Sequence, residues 1–315
     1  MTLCSRMRWF LFVLLGLSLS CGCANRFTAK ADLDSTAWMQ TSHEYSALAV
    51  GAFSVARRNL DDALRDPTWT ALDSQTPATD AEARLLSSRP VAVILDIDET
   101  VLSSLPYQAW LVKNDECFTP GSWNAWVMEA SAKAIPGALE FVRYAWAREV
   151  TVFYVSNRAH QGELDLNENG RFESVEQRVQ LKPFTISNLV TEGFLPQDRV
   201  SNERSVLLRG TVGQDGKVLD GWDSADKSTR RASISSDYRI ALIMGDDLND
   251  FIHLQGPTLA VAEATELSAT RWGHSWIMLP NPIYGSWERS LYEYQATPSE
   301  SDKFEAKLES LHSWR

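Results

Sequence analysis

The stretch "VAVILDIDETVL" at residues 91–102 places an acidic cluster directly after an apolar, mostly β-branched run. Such a run is typical of a central parallel strand that is buried on both faces. Asp96, Asp98 and Glu99 follow it, and open parallel sheets bind ligands at the carboxyl ends of their strands. Crowded carboxylates repel one another unless a cation or a proton offsets them. The stretch therefore indicates either a strand followed by a solvated turn or a ligand site that holds a cation.

Further apolar runs alternate with helical stretches along the chain, which predicts a doubly wound (Rossmann-like) parallel α/β sheet. The other predicted strands are "VTVFYVS" at 150–156, "IALIMG" at 240–245, "SWIMLP" at 275–280 and a weaker one at 204–209. The predicted helices are 136–147, 184–193 and about 247–255.

The remaining segments have distinct compositions that predict four regions. Residues 1–23 form an export signal, and 24–89 form a tether, a helix over 34–65 with Asp34 or Ser35 as its cap, and a connector. Residues 90–295 form the sheet domain, with an aromatic cap segment at about 103–135, and 296–315 form a helical tail. Two polar insertions, 161–176 and 211–224, have the composition of surface loops.

Composition excludes several classes of protein. The chain of 315 residues is 44% hydrophobic and 23% charged, as in a globular protein, and its formal net charge is -11. A basic footprint for DNA or RNA polymers is absent. After Cys23 only Cys117 remains, so neither an internal disulfide nor a cysteine-ligated metal site is expected. A small anionic substrate needs a metal or local positive charge in such a chain.

The N-terminus has the pattern of a secretory signal. Arg6 and Arg8 precede the apolar segment 9–19, which is too short to span a bilayer as a helix. The following "SLSCGCAN" predicts a bacterial lipoprotein with Cys21 or Cys23 as the acylated residue, and simple cleavage of the signal is the alternative. We expect an exported protein of the outer membrane or periplasm, held to a membrane by its lipid anchor only; its oligomeric state is left open.

Polar residues end the other strands as well. Ser156 ends the strand predicted at 150–156, Asp246 and Asp250 follow "IALIMG", and Lys227 precedes a predicted helix. If these strands are neighbours, all of these side chains meet Asp96 and Asp98 in one crevice. Each type has a role in phosphoryl transfer: a carboxylate nucleophile, a second carboxylate for proton transfer, carboxylates for Mg²⁺, and a hydroxyl and an ammonium for phosphate oxygens.

These motifs resemble those of the haloacid dehalogenase (HAD) superfamily, namely DxDx[TV], a Ser or Thr, a Lys and GDxxxD. The nearer resemblance is to the class C acid phosphatases, the lipoprotein e(P4) family of bacterial 5′-nucleotidases. It covers roughly residues 35–295 and includes "DIDETVL", "PYQAW", "GSWNAWV", "IPGALEFVRYA", "VFYVSNR", "DKS", "GDDLNDF" and "IMLPNPIYGSWE". The resemblance implies a HAD-like fold and hydrolysis of a small phosphomonoester.

The resemblance also implies a role for each matching residue. Asp96 would be the nucleophile and Asp98 the general acid and base. Mg²⁺ would bind to Asp96, the backbone carbonyl of Asp98, and Asp246, and Asp250 would support the waters of the metal or Lys227. Ser156 and Lys227 would bind phosphate.

Two further features bear on the substrate. Trp123 and Tyr284 match positions where the family is thought to hold a nucleotide base, and the alternative is that both are ordinary core aromatics. The family commonly has Asp-Asn where this chain has Ser103-Ser104, which affects no catalytic group.

The insertion at 165–176, "DLNENGRFESVE", fits the calcium-loop pattern D-x-[DN]-x-[DN]-G-x₅-E. Asp165, Asn167, Asn169, the backbone of Arg171, and Glu176 would be the ligands of Ca²⁺. The alternative is an acidic surface turn.

Three functions compete at this point. The first is a Mg²⁺-dependent acid phosphatase that acts on nucleoside 5′-monophosphates through an aspartyl-phosphate. The second is a surface lipoprotein that keeps the fold and only binds a ligand, although a binding protein needs no nucleophile. The third is another HAD reaction, such as phosphonate cleavage or transfer to an acceptor other than water.

Overall fold

A five-stranded parallel sheet with helices on both faces forms the centre of the molecule. The computed structural model describes residues 32–164, 175–196, 202–213, 215–253, 269–292 and 299–314. The strands are β1 Val91–Leu95, β2 Leu102–Ser103, β3 Lys133–Ala134, β4 Thr151–Ala159, β5 Gln161–Leu164, β6 Val175–Gln180, β7 Val206–Arg209, β8 Arg239–Gly245 and β9 Trp276–Met278. The main sheet has the strand order β7-β4-β1-β8-β9, and the pairs β2–β3 and β5–β6 are antiparallel. The prediction of a doubly wound α/β fold is confirmed.

The described helices lie between these strands. They are α1 Leu33–Thr41, α2 His43–Arg65, α3 Asp80–Ser87, α4 Leu105–Asn114, α5 Pro120–Glu129, α6 Ala138–Trp146, α7 Lys182–Thr191, α8 Asn202–Ser205, α9 Ser228–Ser235, α10 Ser286–Leu291 and α11 Glu300–Glu309. Short 3-10 helices span Asp73–Gln75 and Leu248–Asp250. Among the described residues, no helix is both long and apolar enough to cross a membrane.

Strand β1 lies in the middle of the sheet and is buried on both faces. Val93 and Leu95 pack into one hydrophobic cluster with α2, α6 and α7. Ala92 and Ile94 pack into a second cluster on the opposite face, which includes Ile234 of α9. This placement explains why the strand is apolar throughout rather than alternating, and it puts Asp96 at the centre of the sheet edge.

Two predicted helices differ from those observed. The predicted helix over 34–65 is divided at Ser42, which has an extended backbone and accepts a hydrogen bond from the Tyr45 backbone nitrogen at 3.1 Å. Serine is a favoured helix cap because its hydroxyl satisfies a free N–H group in the first turn. Asp32, rather than Asp34 or Ser35, precedes the first helix. The predicted helix at 247–255 is a single 3-10 turn within the described residues.

The two polar insertions contain regular structure that their composition did not predict. Strands β5 and β6 pair across the first insertion, and Val212 pairs with Val218 within the second. The signal segment with Cys21, and the proposed calcium ligands Asp165, Asn167, Asn169 and Arg171, lie outside the described residues. The backbone of Glu176 belongs to β6.

Helices α4 and α5 lie within the segment predicted to form a cap, and the first insertion packs on α5. The Nδ2 of Asn124 in α5 donates to the backbone carbonyl of Glu163 in β5 at 2.8 Å. A side chain on Gly162 would collide with Asn124, so the close approach of strand to helix requires a glycine there. Two separate stretches of chain, α5 and β5, are thus joined here.

Candidate active site

The carboxyl ends of β1, β4 and β8 open into one cavity of about 950 Å³. Asp96 follows β1, Ser156 lies near the end of β4, and Asp246 and Asp250 follow β8. Lys227 immediately precedes α9. All six residues that the sequence assigned to the crevice, including Asp98, line this cavity.

Lys227 lies between two of the carboxylates. Its Nζ atom donates to Asp96 Oδ1 at 2.5 Å and to Asp250 Oδ1 at 2.6 Å. Burial opposes the charge of the ammonium, but the two carboxylates outweigh burial and raise the pKa of Lys227. The lysine is therefore charged, and it partly neutralises the cluster.

Asp246 completes a group of three carboxylates. Oxygen atoms of Asp96, Asp246 and Asp250 all lie within 4.8 Å of one another. Thr100 Oγ1 donates to Asp246 Oδ1 at 3.0 Å, and Asn281 Nδ2 donates to Asp246 Oδ2 at 2.9 Å. Burial and the neighbouring carboxylates Asp250 and Asp96 raise the pKa of Asp246 well above its ordinary value.

The charge balance of this group fits a metal ion. Three carboxylates face one ammonium, and burial raises the pKa of Asp96 although Lys227 works against it. A divalent cation would offset the remaining negative charge, and carboxylate oxygens are the ligands that Mg²⁺ prefers. The donor set therefore fits a hard divalent cation at Asp96 and Asp246, with Asp250 beside it.

Gly245 allows Asp250 to occupy its position. A side chain at Gly245 would overlap the Asp250 carboxylate. Asp250 Oδ2 instead accepts a hydrogen bond from the Asp247 backbone at 3.0 Å, which folds the loop after β8 back on itself. The GDxxxD motif thus needs glycine at its first position for a steric reason.

Arg230 joins α9, the helix that follows Lys227, to strand β4. Its Nη1 donates to the backbone carbonyl of Ser156 at 2.6 Å, and its Nη2 donates to Asn157 Oδ1 at 2.8 Å. Burial lowers the pKa of Arg230 to about 10, so the guanidinium remains charged near neutral pH. These bonds fix the start of α9, and hence Lys227, relative to Ser156.

Comparison with known proteins decides the family. The family model described as "HAD superfamily, subfamily IIIB (Acid phosphatase)" matches residues 29–287. The chain belongs to this acid phosphatase family. Two solved structures of the class C acid phosphatase from Bacillus anthracis, one with tungstate bound, are similar to it. In each case the identity is 28%, the TM-score is 0.69, and the match covers 92% of this chain and 100% of that one.

Membership in this acid phosphatase family makes the chain a phosphomonoesterase of the hydrolase class. It also favours the enzymatic interpretation over a surface lipoprotein that only binds a ligand. The resemblance on which the sequence interpretation rested is confirmed.

The phosphatase site contains a buried arginine to which sequence reasoning gave no role. Arg158 Nε donates to Asp98 Oδ1 at 3.2 Å and Oδ2 at 3.0 Å, and Nη2 donates to Oδ1 at 2.8 Å. Burial opposes its charge, but Asp98 outweighs burial, and the pKa of Arg158 is raised. An arginine at the end of an apolar strand was the available signal, since a buried arginine requires an anionic partner.

Glu99 is the second buried charged residue that sequence reasoning left without a role. Its backbone is left-handed, with φ of 52°. Its carboxylate accepts hydrogen bonds from the Ser104 backbone at 2.7 Å, from Ser104 Oγ at 2.9 Å and from the Tyr284 hydroxyl. Burial, reinforced by the charge of Asp98, raises the pKa of Glu99 to about 7. Ser104, one of the departures from the family pattern, thus joins the acidic loop after β1 to α4.

Trp123 and Tyr284 both line the phosphatase cavity but have different environments. Trp123 in α5 is half-buried and packs edge-on against Tyr107, with ring centroids 5.2 Å apart. The Tyr284 hydroxyl donates a hydrogen bond to Glu99, and this bond fixes the position of the tyrosine ring. Both residues line the cavity, and Tyr284 also packs against a small hydrophobic cluster that includes Tyr45 and Ile283.

Proposed function

We propose that this phosphatase hydrolyses nucleoside 5′-monophosphates with a divalent metal, through an aspartyl-phosphate on Asp96. The contact of the Lys227 ammonium with Asp96 and Asp250 carries the proposal, because a carboxylate beside an ammonium at a strand end is the pair that phosphoryl transfer to a carboxylate needs. The tungstate named for the Bacillus anthracis structure supports an oxyanion site in this family.

The proposed reaction has two steps. An oxygen of Asp96 attacks phosphorus, the bond from phosphorus to the ester oxygen breaks, and the leaving oxygen takes a proton from Asp98. Water then attacks the aspartyl-phosphate, gives a proton to Asp98, and releases phosphate from Asp96. Dividing one hydrolysis into two displacements replaces one difficult step with two easier ones. Ser156 and Lys227 hold the phosphate oxygens as their charge shifts.

The metal that we propose is Mg²⁺, held by Asp96, Asp246 and the backbone carbonyl of Asp98, with Asp250 supporting Lys227. When bound, it offsets the carboxylates and lowers their repulsion of an anionic substrate. The cluster of three carboxylates within 4.8 Å of one another supports this assignment.

Removal of divalent metal is expected to stop turnover, since the carboxylate cluster then repels the phosphate dianion. The enzyme is treated with EDTA, desalted, and assayed for phosphate release from p-nitrophenyl phosphate between pH 5 and 8. We expect loss of activity, restoration by Mg²⁺ but not by K⁺, and higher rates on the mildly acidic side, as the name of the acid phosphatase family implies. Full activity in metal-free enzyme would contradict the proposed metal.

The proposed nucleotide substrate rests on Trp123 and Tyr284. The Trp123→Ala variant is expected to lower kcat/KM for AMP relative to glycerol phosphate, because stacking on an aromatic ring is worth ~1–3 kcal/mol per base. Trp110, which is partly exposed on α4 and does not line the cavity, is the matched control. Equal ratios in Trp123→Ala, Trp110→Ala and the parent enzyme would remove the base-stacking role.

Three proposals concern parts of the chain outside the described residues. We propose that the chain is exported and that an acylated Cys21 anchors it to a membrane, with Cys23 as the alternative. We also propose that the loop at 165–176 binds Ca²⁺ weakly. Its position between β5 and β6, which reach the cavity mouth, supports a role in ordering the rim.

A further inference from the structure

Every side-chain hydrogen bond that Arg158 makes within the described residues goes to Asp98. Three donor–acceptor contacts of 2.8–3.2 Å join the two groups, and only 2% of Arg158 is exposed. A guanidinium that contacts both oxygens of a carboxylate restricts both its position and its rotation. Among the described residues, the hydrogen bonds that hold the Asp98 side chain come from Arg158.

Arg239 shows what an arginine with a purely structural role looks like in this fold. It is also buried, but its Nη1 donates to the backbone carbonyls of Ala63, Asp66 and Trp69, each at 3.0 Å. It connects two segments of backbone far from the cavity. The Arg158 side chain has no such backbone partner among the described residues. It therefore orients the Asp98 carboxylate and does not connect segments of backbone.

We propose that Arg158 is a positioning residue that holds Asp98 in the orientation from which it exchanges a proton with the leaving-group oxygen. This inference rests on the proposed function, because it assigns a purpose to a neighbour of the proposed acid and base.

The proton transfer explains why a cation belongs at this position. When the bond from phosphorus to the ester oxygen breaks, its electron pair stays on that oxygen, which takes the proton of Asp98. Asp98 thereby becomes a carboxylate in a site where its side chain is only 13% exposed. A fixed positive group at 2.8 Å stabilises the charge as it develops, without any reorganisation of solvent.

The test uses the dependence of kcat/KM on the leaving group, because kcat/KM reports the steps up to the first irreversible one. A nitrophenolate leaves readily without a proton, whereas an alkoxide does not. In Arg158→Met, kcat/KM for an alkyl phosphate is expected to fall ~10²-fold, and that for p-nitrophenyl phosphate roughly 10-fold or less. Arg158→Lys, which keeps the charge, should recover part of the loss on the alkyl phosphate.

A double-mutant cycle separates positioning from a structural effect. If Arg158 acts through Asp98, the Asp98→Asn/Arg158→Met double variant should be no slower on the alkyl phosphate than Asp98→Asn alone. The control Arg239→Lys is expected to leave the ratio of the two kcat/KM values unchanged. Equal losses on both substrates in Arg158→Met, or additive losses in the double variant, would overturn the inference.

The outcomes keep this inference distinct from the proposed function. Absence of phosphate release from either substrate by the parent enzyme with Mg²⁺ would overturn the function. Hydrolysis of both substrates, with a leaving-group-dependent loss in Asp98→Asn but not in Arg158→Met, would overturn only the role of Arg158. If Arg158→Met does not fold, Arg158→Lys takes its place: a loss confined to the alkyl phosphate supports the role, and a uniform loss overturns it.

Discussion

Replacing Asp96 with asparagine should abolish phosphatase turnover while leaving the fold intact. Asparagine has nearly the same shape, but its amide is not a usable nucleophile, so no aspartyl-phosphate forms. One of three crowded carboxylates also disappears, so repulsion within the cluster decreases. We expect a loss of at least ~10³-fold in kcat, in the range found when a member of a catalytic unit is removed.

Phosphate release and thermal unfolding should be measured on the same preparation of Asp96→Asn. Asp61→Asn is a suitable control. Asp61 lies outside the cavity and pairs with Tyr144 on α6 and with Arg148 in the turn that follows α6. Its turnover is expected to match that of the parent enzyme. Activity close to the parent level in Asp96→Asn would rule out the covalent mechanism.

Replacing Lys227 with methionine should be the most destabilising single change in the site. Lys227 is 3% exposed and is the cation that contacts both Asp96 and Asp250. Removing one partner of a buried ion pair leaves uncompensated charge and typically costs about 3–5 kcal/mol. We expect a decrease of that size in the free energy of unfolding in urea, together with loss of turnover.

Added Mg²⁺ should restore part of this stability, because a metal at the carboxylates replaces some of the missing positive charge. Lys182→Met is the matched control: Lys182 is also buried, but it donates to a backbone carbonyl and pairs with Glu203, whose side chain is 67% exposed. A smaller decrease and retained turnover are expected there. If Lys227→Met unfolded at the same urea concentration as the parent, the ion pair would have no net role in stability.

The acids at the strand ends were predictable because two strong patterns coincide on them. The apolar run that precedes Asp96 and Asp98 can be recognised from the sequence alone. Parallel strands bring their carboxyl ends to one edge of the sheet. The same reasoning placed Asp246 and Asp250, which also line the cavity. The phosphate-binding roles of Lys227 and Ser156 required the family motifs, because a single lysine or serine carries no pattern of its own.

The partners of Arg158 and Glu99 were not predictable, because they are remote in sequence. Arg158 meets Asp98 across 60 positions, and Glu99 meets Tyr284 across 185. Such pairs arise from packing, which no local periodicity encodes. Helix division at Ser42 was missed for a different reason: the apolar spacing continues through it, and only the capping hydroxyl marks the boundary.

The insertions show where composition misleads. Polar, glycine-containing segments at 161–176 and 211–224 predicted loops, yet each contributes antiparallel pairing. A strand whose side chains largely face solvent lacks the apolar alternation from which strands are recognised. Its stability here comes from backbone pairing and from the contact of Asn124 with Glu163.

Because of that contact, residues at the cavity rim can change while the acidic site at the strand ends stays the same. Strand β5 is held by backbone pairing with β6 and by the bond from Asn124 to the Glu163 carbonyl, and neither depends on the Glu163 side chain. Glu163 and Leu164 both line the cavity and belong to no proposed catalytic group. A library randomised at Glu163 and Leu164 would therefore sample new substrate preferences while the proposed catalytic residues stay unchanged. Natural substitutions at these two positions could have the same effect.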